Sequence, residues 1–200
     1  MKVRKLGRDR ISEIVQAALD LAFEVGPDRV TTGMIADHLG LTQPAIYKHF
    51  SNKEDIWRAV AEKLSDRITD NIARATSADQ GPVDRLRQLV LGHLRLVQET
   101  PALPEIMVTR GPKGARSVVQ SHVQPSMSAF QNAVVDAIRE ARVEKILRPD
   151  INAADLATLI LGIIQSLVLR LLVARDSTIL LRDGKRLLEL QLSVFLEPGE

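Results

Sequence analysis

LGLTQPAIYKHFSNKEDIW, Leu39 to Trp57, holds Tyr47, Phe50 and Trp57 beside Lys48 and Lys53, in a chain of 200 residues with only six aromatics. A glycine interrupts two short apolar patterns here. Upstream, Thr31-Thr32 offers an N-cap hydroxyl for a helix carrying Ile35, Ala36 and Leu39. Gly40 then takes the positive backbone angle that a tight turn needs, and Thr42 opens a further short helix. At ~100° per residue, Ile46 and Phe50 fall on one side of that helix with Pro44 and Lys48 opposite. Ala45 and Tyr47 flank the outer face, and Gln43 sits at the tip. Ser51-x-x-Glu54 fits a capping box for the next helix, expected through Trp57, Val60, Leu64 and Ile68 to about Ala75.

Three short helices with a tight middle turn at the glycine, and a small Ala36 where the backbones approach, make a three-helix helix-turn-helix domain. Its third helix is built to enter a DNA major groove tip first. Gln43 can make paired hydrogen bonds to adenine, and Pro44 and Ala45 offer apolar surface to a thymine methyl. Tyr47, Lys48, Lys53 and the hydroxyls of Thr32 or Thr42 can hold phosphates, which fix register without reading sequence. His49 stands one step from the core face, as a contact or as a packed or capping histidine.

In the first of the three helices, Ile11, Ile14, Ala18, Leu21 and Val25 form one helical stripe that Gly26-Pro27 stops. The first ten residues, MKVRKLGRDR, hold five basic side chains against Asp9 alone, an arm suited to a polyanion. Beyond SADQGP (77–82) the spacing predicts helices near 83–99, 103–109, 116–147, 152–174 and 184–196. Pro125 is expected to kink or split the third, and RGPKG (110–114) and RPD (148–150) read as turns. Strand alternation and repeats are absent, so the fold class is all-α. The expected divisions are a helix-turn-helix domain over 1–52, a connecting helix over 53–76 and a helical bundle over 77–200.

The chain has no cysteine, which excludes disulfides, thiolate metal sites and a cysteine nucleophile and suits a cytoplasmic protein. No secretory signal is visible, since Glu13, Asp20 and Glu24 break the first apolar run. Leu156–Leu169, LATLILGIIQSLVL, is too short to cross a bilayer and is read as a helix buried within protein, not a membrane anchor. The four histidines, His38, His49, His93 and His122, do not pair at metal-ligand helical spacing, and no glycine loop cradles a phosphate. Catalysis, metals and cofactors are not expected.

From about Arg10 to Val60, the Ala18–Leu21–Glu24–Gly26 helix end and the run TTGMIADHLGLTQPAIYKHFSNKED resemble the TetR (tetracycline repressor) family of bacterial transcription regulators. The resemblance implies a homodimer whose paired recognition helices bind a palindromic operator, usually to repress. It places Gln43, Pro44 and Tyr47 on DNA and Lys53 on a phosphate. Gly33 departs from the tetracycline repressor, which has a base-reading arginine there, so the operator should differ. Arg4, Lys5 and Arg8 of the basic arm are candidates for compensating contacts.

The family follows its DNA-binding unit with a divergent helical domain for dimerisation and a small inducer. Leu156 to Val173 is apolar nearly all round. Leu187, Leu188, Leu190, Leu192, Val194 and Leu196 give a second broad apolar helix, and the two suit a four-helix interface with a partner copy. His93, Gln98, Met107, His122, Met127, Gln131 and Gln165 are polar or pliable groups set in apolar stretches, the mix a ligand pocket uses. Phe130 is the only aromatic between Trp57 and Phe195, which leans toward an aliphatic or acyl inducer. A helix-turn-helix protein acting on the nucleoid without any ligand is the alternative.

Overall fold

The computed structural model describes residues 7–77, 80–108 and 114–196. Arg4 and Lys5 of the basic arm lie outside the described residues, as do the side chain of Arg8 and most of the 110–114 turn. The described residues form nine α-helices and a 3-10 turn, and they contain no strand. Two compact units emerge. One gathers residues up to Ser65 with Thr100–Gln124, and the other holds Asp66–Glu99 with Pro125–Glu200. These limits differ from those drawn on the sequence in dividing the connecting helix at Ser65/Asp66.

In the first unit, α1 (Gly7–Val25) buries Ile14, Val15, Ala18 and Ala22. It ends at Gly26, whose φ of 89° breaks the helix before the turn Pro27–Arg29. α2 (Thr32–His38) starts where Thr31 Oγ1 accepts the Met34 amide at 3.1 Å. It stops in a Schellman arrangement. Leu41 N–H donates to Ala36 C=O at 2.8 Å and Gly40 N–H to Asp37 C=O at 3.1 Å, with Gly40 at φ 63°. α3 (Gln43–Tyr47) follows, and Ile46 and Phe50 anchor it by burial.

α4 (Lys53–Ser77) buries Ile56, Trp57, Val60, Ala61, Leu64 and Ile68. Its cap is Asn52, whose Oδ1 accepts the Asp55 amide at 2.9 Å, so the Ser51–Glu54 capping box is replaced by a cap one residue later. α6 (Ala102–Val108) and the start of α7 (Ala115–Val143) complete this unit. Pro125 does not split α7, although the division between the units falls at Gln124/Pro125. α7 ends at Val143 and not near 147. Lys145 takes φ 58° and Ile146 N–H closes on Ala141 C=O at 2.9 Å, a Schellman stop without glycine.

The second unit is built around α5 (Pro82–Glu99), with α8 (Ala153–Ala174) and α9 (Ile179–Phe195) packed on it and on each other. Two glycines allow close approach. A Cβ on Gly92 would lie 1.8 Å from Asn71 Oδ1 of α4, and one on Gly184 would lie 2.2 Å from Leu94 Cδ1. Asn71 is held in turn, its Nδ2 donating to Leu89 C=O at 3.0 Å.

At 22 residues α8 is long and apolar enough to cross a membrane, which corrects the length argument made from 156–169. Leu156, Ala157, Ile160, Ile164, Leu167 and Leu171 are nevertheless buried within the unit, as in a core helix. Leu159, Leu169 and Val173 of α8 and Leu190 and Val194 of α9 stay exposed.

Gly92→Ala is expected to destabilise the protein by ~1–3 kcal/mol through overpacking against Asn71. Gly162→Ala, where nothing lies within 4 Å, should be neutral or add ~0.5–1 kcal/mol of helix propensity. Urea unfolding of the two variants beside the parent checks both.

Candidate nucleic-acid interface

α3 has five residues, far below the ~12–15 that a helix needs to stand alone. Docking therefore holds it, and docking occupies only its inner side. Gln43, Pro44, Tyr47, Lys48 and His49 are exposed, Ala45 is half-buried, and Ile46 is fully buried. Pro44 lies in the first turn, where its missing N–H leaves no ladder bond unmade. Thr42 caps α3 through its backbone only, and its hydroxyl makes no cap bond. Lys53, the first residue of α4, stands beside that helix's start, half-buried.

Thr32 departs from the phosphate-holding role first read for it. It is 7% exposed, and its Oγ1 accepts a hydrogen bond from Gln43 Nε2 at 3.2 Å. The same oxygen meets Tyr47 Oη at 3.2 Å. One hydroxyl of α2 thus holds both ends of α3. A Cβ on Gly33 would lie 3.1 Å from Gln43 Nε2, so the glycine leaves room for the glutamine amide.

The proposed pocket residues fall in both units. Met107 and His122 belong to the first unit, and His93, Met127, Gln131 and Gln165 to the second. His122, Gln131 and Gln165 are exposed, and His122 Nδ1 lies 2.8 Å from Val118 C=O. Met107 and Met127 are half-buried. His93 alone is a core group. It is 3% exposed, stacks on Phe130 with centroids 4.4 Å apart, and its Nδ1 has no hydrogen-bond partner. Burial lowers its pKa to about 4. Gln98 Oε1 is likewise buried without a partner.

A cleft of about 630 Å³ along α4 and α5 of the second unit escaped the sequence reading. Arg67, Arg74, Arg87 and Arg95 line it, with Asp70 and Glu99. Arg67 pairs with Glu99. Arg87 is forked onto Glu189 at 2.9 and 3.0 Å, and that bond raises its pKa against the opposing cost of burial. The spacing of these arginines, seven apart on α4 and eight on α5, was the available signal, since two helical turns return to one face. Among the described residues, no group of three or more His, Cys, Asp or Glu can hold a metal.

Residues 14–60 match the family model for bacterial regulatory proteins of the TetR family. Over those residues the chain resembles that family. Its similarity to the class A tetracycline repressor of transposon 1721 from Escherichia coli is 40% identity over 83 residues, covering 41% of this chain and 35% of that protein. A longer match runs to the nucleoid occlusion factor SlmA of Marinomonas sp. (strain MWYL1). It is 22% identical over 157 residues, 78% of this chain and 80% of the relative. Among solved structures, the ketosteroid transcriptional regulator KstR2 of Mycobacterium tuberculosis aligns with a TM-score of 0.77 at 18% identity, covering 98% of each chain. That likeness shows the fold. The residues that match the family model include the α2–α3 pair described above.

Because His93 is neutral when buried, its contribution to stability is fully present above the unfolded pKa of ~6.5 and is lost as pH falls toward 4. His93→Leu should abolish that component, worth up to roughly 3 kcal/mol. Chemical denaturation of both proteins at pH 7 and pH 4 measures the difference.

Proposed function

We propose that this regulator is a repressor that binds a palindromic operator as a homodimer and is released by a small-molecule inducer. The observation that carries the reading is the bare outer face of α3, with Gln43, Pro44, Tyr47 and Lys48 exposed above a buried Ile46. Gln43 reads a base edge, and Pro44 and Ala45 meet a thymine methyl. Tyr47, Lys48, Lys53, the Thr42 hydroxyl and His49 position the helix on phosphates. The protein works in the cytoplasm, off the membrane.

The exposed Leu159, Leu169 and Val173 of α8, with Leu190 and Val194 of α9, supply an apolar face for the partner copy. Operator half-sites lie one DNA turn apart, ~34–36 Å, so an inducer that changes the spacing of the two recognition helices prevents simultaneous docking. Inducer and operator then weaken each other's binding by the same factor. His93 and Phe130 mark the part of the second unit where a ligand finds a polar anchor. With that one ring already stacked, an aliphatic or acyl ligand suits the site better than a flat aromatic one.

Selection from a random duplex library by the purified protein tests the reading, with a two-fold symmetric motif as the expected result. A second reading draws on the SlmA relatives, named nucleoid occlusion factors, and on the exposure of His122, Gln131 and Gln165. On that reading the chain binds DNA at many chromosomal sites and answers to no inducer. Occupancy mapping separates the two, since a repressor concentrates at a few promoters.

Lys53→Ala should lower affinity on all sequences alike and reduce the log–log salt slope by about one per half-site, read by fluorescence anisotropy across a salt series. Replacing Leu169 and Val173 together by glutamate should weaken the dimer ~100-fold or more, about 3 kcal/mol, by forcing carboxylates into an apolar interface. Sedimentation velocity reports the change.

A further inference from the structure

The hydroxyls of Thr32 and Tyr47 carry more than a packing role. We infer that they form a relay that sets which way the Gln43 carboxamide points, so that a phosphate contact at Tyr47 fixes what Gln43 offers to a base. The inference rests on the reading of α3 as the DNA-contacting helix and adds the device that orients its base reader.

Proton counting gives the direction. Phosphate oxygens only accept, so Tyr47 must donate its O–H to one. Tyr47 Oη, 3.2 Å from Thr32 Oγ1, is then left to accept from the threonine. Thr32 has a single hydroxyl hydrogen, and once that is given to Tyr47 its oxygen faces Gln43 as an acceptor. Only the nitrogen end of the carboxamide satisfies it, through the Nε2 contact at 3.2 Å. Gln43 Oε1 and the second N–H remain for the base, in one fixed order. Without the phosphate or the tyrosine hydroxyl, Thr32 is free to donate to Oε1 instead, and the amide can turn over.

Burial of Thr32 removes water as a competing partner. Gly33 supports the arrangement, because a Cβ there would press on Nε2 at 3.1 Å and sit 3.7 Å from Thr31 Oγ1. Thr32 and Tyr47 are thus positioning residues for base recognition, acting through Gln43.

The test is library selection followed by anisotropy on single-base operator variants, using the full-length protein and its Gln43→Ala, Tyr47→Phe, Thr32→Val and Thr32→Ser forms. Gln43→Ala should erase preference at one base pair. Tyr47→Phe and Thr32→Val should each relax preference at that same pair by roughly three- to tenfold, the worth of one hydrogen bond, and Thr32→Ser should restore it. Tyr47 is 49% exposed, so removal of its hydroxyl leaves the fold intact, and circular dichroism checks the Thr32 variants. If Tyr47→Phe weakens every sequence by one factor and leaves the motif unchanged, the tyrosine is a simple phosphate contact and the relay is overturned. A wild-type protein that enriches no motif overturns the DNA-reading role itself and the relay with it.

Discussion

Two helices too short to exist alone, of seven and five residues, are held in the first unit by what they bury. Ile35, Ala36 and Ile46 are at most 1% exposed, and each contributes on the order of a kilocalorie or more of transfer free energy. That demand assigns the faces. Once Ile46 and Phe50 must point inward, the helical period puts Pro44 and Lys48 outward, with Gln43 at the leading end. The surface proposed to meet DNA is the remainder of a packing requirement, and Gly40 sets its angle by closing α2 in a left-handed turn.

Features governed by backbone geometry were legible in the residues. Gly26 and Gly40 announced their stops, Thr31 its cap, and the 3.6-residue period the cores of α1 and α4. Local competition among polar groups was harder to read. Ser51 and Asn52 both can cap α4, and the asparagine oxygen has the reach to the Asp55 amide. α7 stops at a lysine with positive φ, a conformation no residue preference flags. The helix expected over 152–174 matches α8, and only the apolar run 156–169 within it understated the length available to span a bilayer.

The candidate sites divide along the same line. Exposure of α3 follows from periodicity, so the residues on its outer face were found by counting. Thr32 was read as a phosphate contact because it is a hydroxyl near the motif, yet its partners lie 11 and 15 residues away and only folding brings them together. Pocket residues chosen as polar groups in apolar stretches differ in exposure, since residues in one stretch of a helix face different neighbours. His93 keeps a core position because it lies on the buried stripe with Leu86, Leu89, Val90 and Val97.

The socket made by Gly92 and Asn71 constrains motion inside the second unit. With the carboxamide seated where a side chain would be, and tied to the Leu89 carbonyl, α4 meets α5 at the one position of that helix face that carries no Cβ. The contact therefore fixes the register of the two helices against sliding.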